Sequence, residues 1–249
     1  MKHIIQENEK TWDVVANLFM EASHLPVWGP FGVGDDLNLI PEIKGKRFLE
    51  IGCGSGRSIK YLTDNGSEKV HALDLSASQI EEARKFNEEG IELGKVEVFK
   101  GAMEDKLNID PVDVVFSVYG IGWTTNPKVT FGNIHAYLKT GGTFIWSWDH
   151  TIFTDVQYKE GQYVVEYSYH DEELVTLRNW KERGVDAHIT YRKTATWFKL
   201  LRETGFEVVG YYEPKPKTNE ERYWDPQKYY SIEKANKIPA TFIFVCKKI

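Results

Sequence analysis

The sequence predicts an α/β fold in which helices cover both faces of a mostly parallel sheet. From Lys46 onwards, short β-rich runs alternate with helical runs, the pattern of parallel strands joined by crossover helices. Several β-rich runs are almost continuously apolar, as expected for strands that are buried on both faces. A glycine-rich loop, IGCGSGR at 51–57, also lies between an apolar run and a helical run. These observations favour one elaborated domain over the 249 residues.

Seven strands are predicted from runs rich in apolar and β-branched residues. They cover 47–51, 70–73, 96–99, 112–118, 143–147, 208–212 and 241–247. The helices between them are predicted from their end signals, such as Ser76 followed by Gln79 at the capping-box spacing and proline after Asn126. The helices are predicted to run over 57–64, from Ser76 onwards, from Asn126 to Gly141, and over 194–204.

Two segments do not follow this alternation, and they divide the chain into four parts. Residues 1–45 form an N-terminal lid segment with one predicted helix at 12–22, and 46–150 form the core. Residues 151–191 are predicted to be a lid insertion, a β-hairpin that turns near His170–Glu173. The remaining residues, 192–249, complete the core sheet.

Composition and charge restrict the class of protein. The net charge is -6 and no basic cluster is visible, which argues against nucleic-acid binding. The longest apolar runs are too short and too interrupted to span a bilayer, and the N-terminus lacks the apolar core of a secretion signal. With two cysteines and no metal-binding spacing, the sequence predicts a cytoplasmic protein without a metal.

The glycine loop is predicted to bind an adenosine-containing ligand. A glycine loop between a strand and a helix can present backbone N–H groups and a positive helix end to a ligand. Asp74 lies 22 residues after Gly52, where the second strand ends. A carboxylate at that place can accept hydrogen bonds from both hydroxyls of a ribose.

The spacing of the glycines separates two classes of cofactor. A dinucleotide fingerprint needs glycine at the third place of G-x-G-x-x-G, where this chain has Arg57. The glycines instead fall at 52, 54 and 56, after Glu50, which suits a ligand without phosphates. A phosphate-binding P-loop is excluded because no Gly-Lys-Ser/Thr follows the loop.

The motifs EIGCGSG and ALDLS resemble the first two motifs of the class I S-adenosylmethionine-dependent methyltransferases of the small-molecule type, with a domain of methyltransferase type 11. VEVFKGAMEDKL, VDVVFSVYG and YLKTGGTFIW are similar to the next three motifs in order. TATWFKLLRETGFEVVGYYEP and PATFIFVCKK are similar to the final helix and the antiparallel last pair of strands. The resemblance implies a Rossmann-like sheet of seven strands with an antiparallel last strand, and S-adenosyl-L-methionine as the cofactor.

The resemblance also implies roles for individual residues. The main chain at Gly52, Cys53, Gly54 and Gly56 would flank the methionine portion, with Glu50 near its ammonium group. Asp74 would bind the ribose hydroxyls, and Leu75 would lie against the adenine. Ala102 and Met103 fall where the adenine edge is read, although many relatives have aspartate at the place of Ala102. Either the Met103 N–H or Glu104 would then contact the adenine.

The acceptor side is predicted from position and chemistry. By the same resemblance, Ser117 and Tyr119, at the end of the fourth strand, would face the sulfonium and the acceptor. Asp149 and His150 follow the fifth strand, and the pair could remove a proton near neutral pH, with Tyr119 or His188 as alternatives. Aromatic residues are also frequent, and many of them lie outside the predicted core strands. They include Trp28, Phe31, Trp123, Trp146, Trp148, Tyr163, Tyr167 and Tyr169.

An aromatic-lined pocket closed by the two lid segments is therefore predicted, with core packing of the aromatic residues as the alternative. The predicted activity is methyl transfer to an oxygen, nitrogen or sulfur of a small, partly apolar or aromatic metabolite. Two alternatives remain open at this point: a methyltransferase that acts on RNA or protein, and a protein that binds S-adenosylmethionine without turnover.

Overall fold

The computed structural model describes residues 2–40 and 42–249 and centres on one twisted sheet of seven strands. Its strands are β1 (Arg47–Ile51), β2 (Lys69–Asp74), β3 (Val96–Lys100), β4 (Val112–Val118), β5 (Leu138–Asp149), β10 (Phe206–Tyr212) and β11 (Thr241–Lys248). Two smaller hairpins pair β6 (Val156–Lys159) with β7 (Gln162–Val165) and β8 (Leu174–Leu177) with β9 (Ala187–Thr190). All seven predicted sheet strands are present.

The strand order in the sheet is β10-β11-β5-β4-β1-β2-β3. Pairs among the first five strands of the chain are parallel, whereas β11 runs antiparallel to both β5 and β10. The sequence-based prediction of a Rossmann-like sheet with an antiparallel last strand is therefore confirmed. The order reverses between β1 and β4, and this is the place where open α/β sheets bind ligands.

The helices are α1 (Lys2–Val15), α2 (Arg57–Asp64), α3 (Ala77–Phe86), α4 (Glu88–Glu92), α5 (Pro127–Tyr137), α6 (Thr151–Asp155), α7 (Thr194–Glu203) and α8 (Ile232–Ala235). The Ser76 hydroxyl accepts a hydrogen bond from the Gln79 N–H, so the predicted cap of α3 is confirmed. Helix α5 begins at Pro127 as predicted but ends at Tyr137, because β5 already starts at Leu138. Within the described ranges, no helix combines the length and the apolar character needed to cross a membrane.

Two apolar cores lie on opposite faces of the sheet because neighbouring residues of a strand point to opposite sides. In β1, Phe48 packs in one core with Ile59 and Ile80, from α2 and α3. Its neighbour Leu49 packs in the other core, which contains Phe131 of α5 and Trp197 of α7. Helices on both faces are therefore confirmed.

The N-terminal helix differs from the prediction at both ends. It was expected at 12–22, but α1 covers Lys2–Val15 and continues as a short 3-10 turn over Ala16–Phe19. The early part of α1 was missed because its N-terminal turns carry many charged and polar residues. Asn8 attaches α1 to β9: its side chain donates to the His188 carbonyl (2.8 Å) and accepts from the His188 N–H (2.8 Å).

The insertion after β5 also differs from the prediction. The prediction of a single hairpin that turns near His170–Glu173 is wrong, because the insertion forms two hairpins. The first turns at Glu160 and Gly161, both with positive φ, and His170–Glu173 lies in the connection between the two. The Glu172 carboxylate in that connection accepts from the Lys193 N–H (2.8 Å) and the Thr196 hydroxyl (3.0 Å), so it anchors the insertion to α7.

Candidate functional site

The carboxyl ends of β1, β2, β4 and β5 open into a cavity of about 670 Å³. This volume is within the range of small-molecule and cofactor sites. Three other parts of the chain complete the wall: residues from 5–30, residues from 177–191, and the four residues Arg222, Tyr223, Tyr229 and Tyr230. The site is therefore built by the sheet edge together with both predicted lid segments and a third segment that precedes α8.

The glycine loop lines the cavity, but three of its N–H groups are already bonded within the protein. The Gly52 and Cys53 N–H groups both donate to the Leu73 carbonyl, at 2.8 and 3.1 Å. The Gly54 N–H donates to Asp74 Oδ2 at 2.8 Å. At Gly52, Cys53 and Gly54 the expectation of free N–H groups is therefore wrong, because these groups fasten the loop to the end of β2.

Positions 52 and 54 are glycine for two different physical reasons. Gly52 has φ +74°, and a Cβ there would lie 3.1 Å from the Gly120 Cα, so two main chains approach each other closely. Gly54 has φ +51°, and the nearest atom to its added Cβ would be 3.9 Å away. The main chain at Gly54 is therefore bare towards the cavity. Cys53 also lines the cavity, and burial raises the pKa of its thiol well above the ordinary value.

Gly56 does not reach the cavity, which corrects the prediction of a cofactor contact. It lies at the start of α2 with φ +78°, and a Cβ there would meet the Asn87 amide nitrogen at 2.6 Å and the Ala83 Cβ at 3.0 Å. The Asn87 amide donates to the Gly56 carbonyl at 3.0 Å. The third glycine thus serves the packing of α2 against α3.

Glu50 places a buried carboxylate in the cavity wall. Glu50 is 2% exposed, and burial raises the pKa of its carboxyl group well above the ordinary value. Within the described residues, its Oε2 atom has no hydrogen-bond partner. A buried carboxylate oxygen without a partner is costly unless a donor is bound beside it. Glu50 could therefore hold a cationic group of a ligand.

Asp74 ends β2 and fixes the two loops around it. Its Oδ1 accepts from the Ser76 N–H at 2.9 Å, and its Oδ2 from the Gly54 N–H at 2.8 Å. Burial raises the pKa of Asp74, while these backbone hydrogen bonds lower it. Each carboxylate oxygen has a second lone pair, so Asp74 could also accept from a ligand hydroxyl. Leu75 follows it in the cavity wall.

Ala102, Met103 and Glu104 form the next part of the wall. The Ala102 N–H donates to the Asp105 carboxylate at 3.1 Å. Glu104 Oε1 accepts from the Thr125 N–H at 2.7 Å and from further donors in residues 124–126, so this oxygen fixes the loop that precedes α5. The adenine contact through Glu104 is therefore less compatible with this geometry than one through the Met103 main chain.

Ser117 does not face the cavity, so that prediction is wrong. The side chain is fully buried in the sheet, and its hydroxyl donates to the Ile51 carbonyl at 2.6 Å. This hydrogen bond joins the end of β4 to the start of the glycine loop. The next residues of the chain, Val118, Tyr119 and Gly120, are those that line the cavity.

His150 is also turned away from the cavity, so its predicted pairing with Asp149 is wrong. The His150 Nδ1 accepts from the Ile152 N–H at 3.3 Å and caps α6. The Nε2 lies 2.9 Å from Glu213 Oε1. Burial lowers the pKa of this histidine, so the neutral ring with its proton on Nε2 satisfies both partners. His188, the other histidine considered, bonds to Thr176 and lies 3.0 Å from Glu7.

Asp149 and Tyr119 do lie in the cavity wall. The Tyr230 hydroxyl donates to Asp149 Oδ1 at 2.9 Å, and the Tyr119 hydroxyl lies 2.5 Å from Thr241 Oγ1. Burial raises the pKa of Asp149 to about 7, against the lowering effect of the neighbouring tyrosine hydroxyls. Asp149 is thus a carboxyl group that can gain and lose a proton near neutral pH.

The aromatic residues of the wall are partly those predicted. Tyr119, Trp123 and Trp148 line the cavity, whereas Trp28, Phe31 and Trp146 are buried in the core. Tyr163, Tyr167 and Tyr169 lie outside the wall, in or after the first hairpin of the insertion. The tyrosines and tryptophans that the sequence reasoning missed are Trp12, Trp180, Tyr191, Tyr223, Tyr229 and Tyr230. The pair Tyr229-Tyr230 in an otherwise polar stretch was a signal that could have been used.

The family of these residues follows from comparison with known proteins. The family described as "Methyltransferase domain" matches residues 49–146, which include the glycine loop, the end of β2 and the end of β4. Residues 49–146 are therefore a methyltransferase domain, and the chain has the fold of the S-adenosylmethionine-dependent methyltransferases. S-Adenosyl-L-methionine is accordingly the cofactor of this methyltransferase.

Individual relatives are distant. An uncharacterised protein of Haemophilus influenzae is 28% identical over 189 residues, which are 72% of this chain and 74% of the relative. A sarcosine/dimethylglycine N-methyltransferase of Aphanothece halophytica is 29% identical over 104 residues, or 41% of this chain and 38% of that protein. A crystal structure of an S-adenosylmethionine-dependent methyltransferase from Mesorhizobium loti is 21% identical, has a TM-score of 0.69 and covers 85% of this chain and 95% of its own. That structure supports the fold of the methyltransferase.

Proposed function

We propose that this methyltransferase methylates an oxygen, nitrogen or sulfur atom of a small, partly apolar or aromatic acceptor bound beside Asp149. The observation that carries the proposal is that Asp149 lies in the cavity wall together with aromatic side chains, among them Tyr119, Trp148, Tyr191, Tyr229 and Tyr230. Such aromatic lining favours a small ligand with apolar surface, and the Asp149 carboxylate would fix its polar atom. The similarity to a methyltransferase named for sarcosine and dimethylglycine also supports a small acceptor.

The residues at the ends of β1 and β2 fit the cofactor that the family uses. The Glu50 oxygen without a partner would accept from the ammonium group of the methionine portion. Gly52, Cys53 and Gly54 would flank that portion, and the second lone pairs of the Asp74 carboxylate would accept from the ribose hydroxyls. Leu75, Ala102 and Met103 would contact the adenine. When bound, the cofactor supplies a methyl group on a sulfonium, which a nucleophile can displace.

The residues of the chain would align the acceptor with the methyl group, exclude water from the cavity and supply a proton acceptor. Three tryptophans, Trp12, Trp123 and Trp180, contact one another with ring centroids 5.1–5.3 Å apart and cover the cavity. Such a cover keeps water from the displacement, in which alignment of the reacting groups supplies most of the rate gain. Asp149 would accept the proton that the acceptor loses, and Tyr119 would position the acceptor.

The proposal is tested by cofactor binding and product formation measured on the same protein. Isothermal titration should show S-adenosylmethionine binding, and a panel of small alcohols, phenols, amines and thiols should yield S-adenosylhomocysteine with at least one member. The Asp149→Asn variant should retain cofactor affinity while turnover falls by about 10²–10⁴-fold, the usual contribution of a general base. The matched control is Asp225→Asn, since Asp225 is exposed and its carboxylate accepts from the Gln227 N–H at 2.9 Å.

The pH profile gives a second test of the base. Because the folded-state pKa of Asp149 is about 7, the carboxylate form is lost as the pH falls through that value. Turnover should therefore rise with pH through about 7 in the unaltered enzyme, and this step should disappear in Asp149→Asn. Turnover with RNA or a protein but with no small acceptor would contradict the proposal.

A further inference from the structure

Four tyrosines surround Asp149 from separate parts of the chain. Tyr119 follows β4, Tyr191 follows β9, and Tyr229 and Tyr230 precede α8. Burial raises the pKa of all four hydroxyls, and the charge on Asp149 raises them further. The tyrosines are therefore neutral at physiological pH, and Asp149 is the group among these five that can carry a charge.

The aromatic rings offer faces as well as hydroxyls. Tyr229 and Tyr230 have ring centroids 4.8 Å apart with planes 80° apart, so the two rings form a corner rather than a stack. Tyr119 and Trp148 have centroids 5.6 Å apart at 43°. Differently inclined electron-rich faces near a carboxylate are the arrangement that binds organic cations.

The nearby basic residues are held by other partners. The Lys234 ammonium donates to the Phe153 and Val156 carbonyls at 3.1 and 3.2 Å, and it is not part of the cavity wall. Arg222 lines the wall, but its guanidinium forms an ion pair with Glu220 at 2.9 Å and lies over the Tyr223 ring. Among residues 2–40 and 42–249, no basic side chain forms an ion pair with Asp149. Lys234 Nζ also lies 4.8 Å from the centroid of the Tyr229 ring and covers one face of it. Asp149 gives the acceptor side of the cavity negative character beside the rings of Tyr119, Trp148 and Tyr230.

We infer that the acceptor is an amine, which binds in its ammonium form to the Asp149 carboxylate and the surrounding aromatic rings. This inference rests on the proposed function and names the acceptor atom as nitrogen. A neutral alcohol or phenol would gain the hydrogen bond to Asp149 but not the attraction between a cation and the ring faces. An acid would be repelled by the carboxylate.

The Asp149 carboxylate can also accept the proton that an ammonium group must lose before its nitrogen can be methylated. The ammonium group first transfers one proton to Asp149, which leaves a neutral amine and a carboxylic acid. The amine nitrogen then forms a bond to the methyl carbon as the carbon–sulfur bond breaks, and the electron pair of that bond remains on sulfur. The products are a methylated ammonium and a thioether, and Asp149 later releases its proton to water.

Binding of matched amine and alcohol pairs to the protein with S-adenosylhomocysteine tests the inference without turnover. The pairs are butylamine and 1-butanol, benzylamine and benzyl alcohol, and phenethylamine and 2-phenylethanol, measured by isothermal titration at pH 8. At least one amine should bind about tenfold or more tightly than its alcohol, as a desolvated contact between a cation and aromatic rings implies. Asp149→Asn should reduce this difference, because the carboxylate charge is lost while the rings remain, and Asp225→Asn should preserve it.

The pH dependence of amine binding separates Asp149 from its neighbours. Burial raises the pKa of Asp149 to about 7 and lowers the pKa of Lys234 to about 8, and Lys234 Nζ lies 4.8 Å from the centroid of the Tyr229 ring. Amine affinity should rise about fivefold or more between pH 6 and pH 7.5, as Asp149 ionises. Asp149→Asn should abolish this rise, and any remaining increase near pH 8 would belong to Lys234.

Two outcomes distinguish failure of this inference from failure of the proposed function. If no amine of the series binds more tightly than its alcohol, or if Asp149→Asn leaves the preference intact, the inference is wrong, although methylation of another small acceptor would still support the proposed function. If no small acceptor of any class yields S-adenosylhomocysteine, the proposed function itself is wrong.

Discussion

Asp74 combines two tasks at one carboxylate. It holds the Gly54 and Ser76 N–H groups, and we propose that it also binds the cofactor ribose. The same side chain therefore sets the shape of the glycine loop and the affinity of the site. Loss of the carboxylate should affect both.

The Asp74→Ala variant should weaken S-adenosylmethionine binding by about 1.5–3 kcal/mol, because hydrogen bonds to a charged group are lost. Isothermal titration of the folded variant measures this change. Asp74→Asn is the matched control, since its oxygen can accept one of the two hydrogen bonds and should restore part of the affinity. An unchanged dissociation constant in Asp74→Ala would show that the ribose binds elsewhere.

His150 gives the opposite expectation, although it is the next residue after Asp149. Its ring caps α6 and contacts Glu213 outside the cavity wall. The His150→Ala variant should lower the free energy of unfolding by about 1–3 kcal/mol, as expected when a cap and a buried hydrogen bond are lost. Chemical denaturation measures the loss, and His150→Asn, which keeps an acceptor for the Ile152 N–H, should recover part of it. A hundredfold loss of turnover in a stably folded His150→Ala would instead return this residue to catalysis.

At the scale of elements, the position of α2 depends on Gly56. The residue has a left-handed backbone, and the added Cβ of any other residue would overlap α3. The Gly56→Ala variant should therefore lower the free energy of unfolding by about 2–4 kcal/mol, because backbone strain and overpacking add. Gly184→Ala is the matched control: Gly184 has φ +70°, but nothing lies within 4 Å of the added Cβ. That variant should lose only about 1 kcal/mol. Equal losses in thermal or chemical unfolding would show that α3 moves away without cost.

Another element, the short β8–β9 hairpin, differs from the predicted turn because tertiary contacts decide its register. Its strand β9 is held by Asn8 of α1, 180 residues away in sequence. No local pattern in the insertion could reveal that partner. The long strands of the central sheet were predictable because their apolar runs are buried on both faces whatever the loops do.

At the scale of the whole molecule, the N-terminal segment is fastened directly onto the glycine loop. The Met20 carbonyl accepts from the Ser55 hydroxyl at 3.0 Å and from Arg57 Nε at 2.8 Å, and Arg57 also pairs with Glu21. Trp180 of the insertion contacts Trp12 and Phe19 of the same segment. Opening of one lid segment should therefore be linked to opening of the other.

Hydrogen exchange followed by mass spectrometry tests this linkage. Addition of S-adenosylhomocysteine should slow exchange in both 12–23 and 177–191, because ligand contacts disfavour local opening of the cover. The hairpin of β6 and β7 lies outside the 177–191 wall segment and serves as an internal control with unchanged exchange. Protection confined to the glycine loop and the end of β2 would contradict a cover that responds to the cofactor.

The sequence by itself determined the order and type of the core strands, the glycine loop, and the position of Asp74 and Asp149 in the cavity wall. Each depends on local signals: apolar runs, alternating glycines and residues at the end of a parallel strand. Only the tertiary structure decided which side chains face the cavity. Ser117, Gly56 and His150 lie near the right strand ends, but hydrogen bonding and helix packing turn them away. Tyr229 and Tyr230 reach Asp149 from about 80 residues further along the chain. Side-chain direction at a strand end depends on contacts distant in sequence, and such contacts form only when the whole sheet and its cover are assembled.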